Sequence, residues 1–441
     1  MQVIYFRLLL PKHCQDNLKI AKMRRMKGEI QLTSFEQKLT RYAELAVNVG
    51  VNIQKDQELY IVAALDAAPF VRVVTKKAYE AGAKQVYVDW LDDEITRVRF
   101  ELAPEDSFSD YPAWKVQERE ILAERGAAFM SIVSQSPDLL KGIDSKRIAV
   151  NQKATGTALN KYRQYVQSDK ISWTVLAAPS KAWAAKVFSD LPEEQQIDAL
   201  WDAIFKAVRA DRDNPVEEWI KHDELLHTKV DYLNSKKYTK LHYTSPKTDL
   251  EVALPKGHLW CGAGSINEKG DKFMANMPTE EVFSVPEKTG VNGFVSSTKP
   301  LSYGGNIIDD FKITFKDGRI VEVTAAEGEE VLKELVATDE GSHHLGEVAL
   351  VPHQSPISDS NILFYNTLFD ENASNHFAIG SAYAFCLEGG KTMSPDELTA
   401  HGLNQSITHV DFMVGSEEMD IDGILEDGTR EPVFRGGNWA F

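Results

Sequence analysis

The chain has 441 residues, 43% hydrophobic and 26% charged, which excludes a disordered chain, a collagen-like fibre and a disulfide scaffold. At roughly 100–200 residues per domain, two or three domains are expected. Lys and Arg number 49 against 66 Asp and Glu, a formal charge of −17, which argues against a nucleic-acid or anionic-membrane partner and suits an enzyme acting on a cationic group.

Cysteine usage points the same way. Cys14, Cys261 and Cys386 are too few and too widely spaced for a disulfide framework or a CxxC metal knuckle, which fits a reducing cytoplasm. No window reaches the ~18 uninterrupted apolar residues of a membrane helix. The opening MQVIYFRLLLPKHC is not read as a signal peptide. Arg7 breaks its apolar run, and the positive charges follow that run rather than precede it.

Residues 1–31 differ from the rest. They carry Arg7, Lys12, Lys19, Lys22, Arg24, Arg25 and Lys27 against only Asp16 and Glu29. No helix cap or strand alternation leads out of them. Lys27-Gly28-Glu29 can be encoded by a purine-rich ribosome-binding sequence, and Leu32 by an alternative bacterial start codon. The expectation is a basic extension, 1–31, that is disordered or not natively translated.

From residue 32 the pattern is regular. SFEQKLTRYAELAVNVGV, from Ser34, has helical spacing of Leu39, Tyr42, Leu45 and Ala46. ELYIVAAL (58–65) reads as a buried strand, APFVRVVTKKAYEAG (68–82) as a helix ending at Gly82, and AKQVYVDWLD (83–92) as the next strand. That is a βαβ unit. FMSIVSQS (129–136), KRIAVN (146–151) and ISWTVLAAPS (171–180) read as further strands. Residues 32–230 are therefore expected to form an α/β N-terminal domain.

Near residue 230 the runs shorten and turns multiply, as in KLHYTSPKTDLEVAL, KITFKDGRIVEVTA and VFRGG. Asp317-Gly318 between alternating segments signals a hairpin. Residues 231–441 are expected to form a β-rich α+β C-terminal domain, and they hold His258, His343, His344, His353, His376, His401 and His409.

Several common chemistries are missing. No GxGxxG follows a strand. There is no GxSxG elbow and no HExxH helix. Gly389-Gly390-Lys391-Thr392 matches the end of a phosphate-binding P-loop, but the first glycine that loop requires would stand at Phe385.

Four segments of the second domain offer metal chemistry instead. In ANMPTEEVFSVP (275–286), Glu280 and Glu281 are adjacent, so on an extended segment only one reaches a shared site. In LGEVALVP (345–352), Glu347 adjoins a buried run, where a carboxylate needs a cation or strong donors. TLFDENASNHFAIGSAYAF (367–385) supplies Asp370, Glu371, His376 and Tyr383. In SITHVDFMVGS (406–416), His409 and Asp411 are two apart and project from one face of a strand. Glutamates, two histidines and an aspartate suit a borderline divalent ion such as zinc, cobalt or manganese. Six ligands are too many for one tetrahedral site and suit two metals sharing a carboxylate, which can activate water and polarise a carbonyl.

At these segments, and at PKGHLWCGAG (255–264), PTEEVFSVP (278–286) and TKPLSYGG (298–305), the sequence resembles the aminopeptidase T and aminopeptidase S family of dinuclear metallo-aminopeptidases, from about Ser34 to the C-terminus. The resemblance implies a cytoplasmic homodimer that releases N-terminal residues from peptides. It implies an α/β N-terminal domain and a metal-binding C-terminal one. It places two divalent ions (zinc, cobalt, or magnesium or manganese) on Glu281, Glu347, Glu371, His376, His409 and Asp411, with Glu347 bridging. Tyr383 resembles the family's tyrosine near the metals, which binds a metal or stabilises an oxyanion. The family pattern does not call for His343, His344 or His353. Cys261-Gly262-Ala263-Gly264 departs from it, since a more glycine-rich turn is expected there, and Cys261 is read as a packing residue.

The expected reaction is attack of a metal-bound hydroxide on the first peptide carbonyl, with Glu280 or Glu371 as the proton shuttle. The alternatives are another dinuclear hydrolase, an amidase or a phosphoesterase, or a non-catalytic small-ligand-binding protein. Phosphoesters would favour arginines beside the metals, and the four ligand segments contain none.

Overall fold

The computed structural model describes residues 34–441; the expectation for residues 1–31 lies outside them. The first region is built on four parallel strands, β1 (Glu58–Ala64), β2 (Gln85–Leu91), β3 (Ala128–Val133) and β4 (Trp173–Ala177). Their order is β2-β1-β3-β4. Each crossover is helical, as a parallel sheet requires. The helix Ser34–Leu45 seals this core: Tyr42 is fully buried, and its hydroxyl donates to Ala177 O at 3.0 Å while accepting from Ala177 N at 3.1 Å.

One expected strand is a helix. Residues 146–151 lie within the helix Ser145–Ala158. The Asp144 side chain caps it by accepting from Lys146 N at 2.9 Å. Ile148 is buried while Val150 is 43% exposed, whereas a strand would have turned both to the same face. The short apolar run was one turn of an amphipathic helix.

The helix Pro215–Lys236 runs through residue 230 and delivers the chain to a nine-stranded sheet that opens with the hairpin Lys240–Ser245 and Thr248–Ala253. Asp317 and Gly318, at φ 49° and 79°, turn Asn306–Lys316 into Arg319–Glu327, as their sequence signals.

A second, five-stranded sheet positions the site. Its order is His409–Met413, His376–Gly380, Leu345–Leu350, Val282–Ser284 and Cys261–Gly262, with each adjacent pair antiparallel. Alternation divides its faces. Val348, Leu350, Phe377, Ile379 and Phe412 pack into the core shared with the nine-stranded sheet. Glu347, His376, His409 and Asp411 turn to the opposite face. Register places Glu347 opposite Ala378 and Ala378 opposite Asp411, so a small side chain separates the two carboxylates. Gly346 is needed here, since a Cβ would stand 2.4 Å from the carbonyl oxygens of Gly380 and Ser381.

The two regions are stitched together beside this face. Val175 N donates to Ala275 O at 2.7 Å and Met277 N donates to Val175 O at 2.9 Å. The segment leading to Glu281 thus extends the edge of β4. Among the described residues, no helix is long and apolar enough to cross a membrane.

Candidate metal centre

Two trios of ligand atoms share one residue. Glu281, Glu347 and His376 form the first, and Glu347, His409 and Asp411 the second, with all atoms of each trio within 4.8 Å of one another. Glu347 Oε1 lies 3.7 Å from His376 Nε2, while its Oε2 lies 3.3 Å from His409 Nε2. Glu281 Oε2 approaches His376 Nε2 at 3.0 Å, and Asp411 Oδ1 approaches His409 Nε2 at 3.5 Å.

Both imidazoles are oriented from behind. His376 Nδ1 donates to Ser374 O at 3.1 Å, and His409 Nδ1 donates to Ser381 O at 2.7 Å. Each backbone carbonyl fixes Nδ1 as the donor and turns Nε2 toward the carboxylates, the orientation a metal-binding histidine requires.

The charge balance also fits cations. Glu281, Glu347, Glu371 and Asp411 line one cavity of about 310 Å³. Among the described residues, none of these four pairs with a Lys or Arg; Glu281, Glu347 and Asp411 make their ionic contacts with the two histidines. Burial raises the Glu281 carboxyl, against the opposing pull of His376. Burial, with Asp411 and Glu281 nearby, holds Glu371 well above the usual carboxylate range. Burial disfavours charge on His376, but bonds to Glu281 and Glu347 outweigh it and raise that imidazole well above its ordinary value. His409 is raised in the same way, by Asp411 and Glu347. Protons on the imidazoles and carboxyls balance this cluster in the absence of metal, and divalent cations would take their place.

The adjacent glutamates part as their spacing requires. Glu281 joins the first trio, while Glu280 turns away. Glu280 Oε1 accepts from Arg209 Nη2 at 2.7 Å, and its backbone N donates to Asn372 Oδ1 at 2.6 Å. His222 Nε2 donates to Thr279 O at 2.7 Å and its Nδ1 accepts from Arg209 at 3.2 Å. Burial lowers the His222 imidazole, in keeping with a neutral ring.

Glu371 lines the cavity but belongs to neither trio. The Tyr383 ring centroid lies 4.8 Å from that of His409. Burial and the surrounding carboxylates push its phenol well above the ordinary range, so it remains a hydrogen-bond donor. Asp370 instead ties its own loop, accepting from the backbone N of Phe364 at 2.9 Å and of Asn366 at 3.0 Å. Its carboxyl is pushed up to about 6 by burial. His344 Nδ1 donates to Lys288 O at 3.0 Å, and neither it, His343 nor His353 joins a trio. Cys261 is a half-buried member of the cavity wall. Arg209, His222 and the Ser381 carbonyl carried no local sequence signal, because each acts across the fold.

The model of the family described as thermophilic metalloprotease (M29) matches residues 35–439. The chain belongs to that family. Aminopeptidase AmpS of Bacillus subtilis (strain 168) is 64% identical over 93% of this chain and 100% of its own length. Aminopeptidase 2 of Geobacillus stearothermophilus is 52% identical over 93% of this chain and 99% of its own. The solved structure of AmpT from Thermus thermophilus, 41% identical, superposes with a TM-score of 0.84 over 92% of this chain and all of that one. This M29 chain is a metal-dependent aminopeptidase, built as an α/β region with a parallel sheet and a β-rich C-terminal region.

Proposed function

We propose that the two trios hold two divalent ions bridged by Glu347, and that the N-terminal residue of a peptide is released there. The observation that carries this reading is that Glu347 turns one oxygen toward each histidine. When bound, the ions supply Lewis-acid activation of water and of the scissile carbonyl. Glu281, Glu347 and His376 would hold one, and Glu347, His409 and Asp411 the other.

The remaining work falls to protein groups. The Tyr383 hydroxyl donates to the oxygen on which negative charge develops. Glu371 lies in the same cavity outside both trios, and it takes the proton from the attacking water and passes it to the leaving amine. Glu280, engaged by Arg209, is not available for that step. The acidic wall favours the cationic α-amine of a free N-terminus. The family resemblance supports zinc, cobalt, magnesium or manganese as the ions, a homodimer and a cytoplasmic location.

The test is hydrolysis of free and N-acetylated dipeptide amides after addition of zinc or cobalt. Turnover restricted to the free peptides is expected. Equal rates on both would overturn the exopeptidase reading.

A further inference from the structure

The cavity that holds the ligand trios continues past them along an aromatic wall. The ring of Tyr383, 4.8 Å from His409, stacks on Phe385 at 5.1 Å. The Lys391 ammonium in turn lies 5.8 Å from the Phe385 ring centroid. Tyr383, Phe385 and Lys391 all line the cavity. An extended peptide advances ~3.3–3.6 Å per residue, so at most roughly four to five residues of extended chain separate the metal-centre histidine from this cation.

Lys391 is held rather than free-swinging. Its Nζ donates to Asp169 Oδ2 at 3.0 Å and to Ile266 O at 3.4 Å. An ammonium has three donors, so one remains, and the Lys391 side chain is 45% exposed. Asp169 is 3% exposed and sits in a left-handed turn at φ 50°. Its Oδ1 is buried with no hydrogen-bond partner. The Ser265 hydroxyl and the Trp173 indole also stabilise this carboxylate, so Asp169 is held in place from several sides. The result is a lysine fixed at one point of the cavity wall, in a site whose other charged side chains are mainly acidic. Lys391 is also the lysine of the incomplete Gly389-Gly390-Lys391-Thr392 phosphate loop, and the surrounding wall of rings and carboxylates is unsuited to a polyphosphate.

We propose that Lys391 receives the C-terminal carboxylate of short peptides, so that it sets a preference for oligopeptides of a few residues with a free C-terminus, and that Asp169 is the residue that positions it. This rests on the aminopeptidase reading of the metal centre. The carboxylate gains a charge-assisted hydrogen bond at one end while the α-amine is held at the other. A peptide too long to end at Lys391, or one ending in an amide, forfeits that bond.

The test compares tripeptides as free acids and as C-terminal amides, using the metal-loaded full-length protein and its Lys391→Met and Lys391→Arg variants. The native protein is expected to favour the acid by about tenfold in kcat/KM, which corresponds to ~1.4 kcal/mol. Lys391→Met should bring the acid-to-amide ratio near one, with the loss appearing in KM for the acid. Lys391→Arg should restore part of the preference. Asp169→Asn, which frees the lysine, should reduce the ratio less than Lys391→Met does. A native ratio near one, or a ratio left unchanged by Lys391→Met, would overturn the proposal. Because the readout is a ratio within one protein, a loss of folded enzyme does not imitate it. Failure of the native protein to cleave either peptide would instead strike the reading of the metal centre.

Discussion

The four-stranded parallel sheet and the five-stranded sheet solve opposite problems. In the first, the buried strand residues Leu59, Ile61, Ala63, Met130, Ile132 and Leu176 are apolar and join a common core. Desolvation there favours folding directly. In the second, the strand Leu345–Leu350 is buried along its whole length and still carries Glu347. Burial there opposes the charge, and the neighbouring strands add further carboxylates and two histidines instead of lysines or arginines. Glu280 shows the alternative treatment one residue from Glu281. Its charge is met by Arg209 and its surroundings are completed by His222 and Asn372. The charge on Glu280 is met by an arginine inside the protein, whereas no lysine or arginine meets the carboxylates of the two trios.

Removing the shared ligand should break this contrast most severely. Glu347→Ala takes a ligand from both trios, and turnover should fall by at least about a thousandfold, or ~4 kcal/mol of transition-state stabilisation. Bound metal should fall with it. Peptidase assays paired with metal analysis check this, and near-native activity at full metal content would sink the bridging role.

The structural side of the contrast responds differently. Arg209→Met leaves Glu280 buried without its cation, which should cost about 3–5 kcal/mol of stability. Chemical denaturation measures the loss. Metal bound per folded chain should remain that of the native protein, since Glu280 belongs to neither trio.

Proton coupling separates the two kinds of charge again. In the metal-free protein, His376 and His409 are held protonated by adjacent carboxylates, and burial makes Glu281 and Glu371 retain protons more tightly. All four shifts are upward, so protons compete with metal increasingly as pH falls. Metal uptake should release protons, and affinity should weaken on acidification. Titration calorimetry in buffers of different ionisation enthalpy reads this directly, and an enthalpy independent of buffer would count against it.

The smallest effect concerns Ala263, which lines the cavity at φ 60°. A residue with a Cβ is strained there and glycine is not, so Ala263→Gly should stabilise the chain by roughly 0.5–1 kcal/mol. A shift in thermal unfolding midpoint with unchanged metal binding is the expected readout.

How much of this the sequence disclosed depends on the range of each interaction. His409 and Asp411 were legible because period-two geometry is local, and the same geometry required Glu280 and Glu281 to separate. Which of those two faces the cavity was not decidable locally, because pairing of Val282–Ser284 with Leu345–Leu350 sets it. The helix at 145–158 was misread because Ile148-Ala149-Val150 is too short a run to distinguish the two periods. Asp169 and Lys391, 222 residues apart, meet only once the parallel sheet and the metal-binding sheet are stitched together. Ala263 was visible as a departure from an expected glycine-rich turn, and its left-handed backbone gives that departure a physical meaning.

The most direct measurement is the metal stoichiometry of the purified chain, titrated with zinc or cobalt after chelation and followed together with peptidase activity. Two ions per chain are expected in the native protein, with activity reaching its maximum only as the second is bound. A single ion per chain supporting full activity, or full activity in the stripped protein, would contradict the shared role assigned to Glu347.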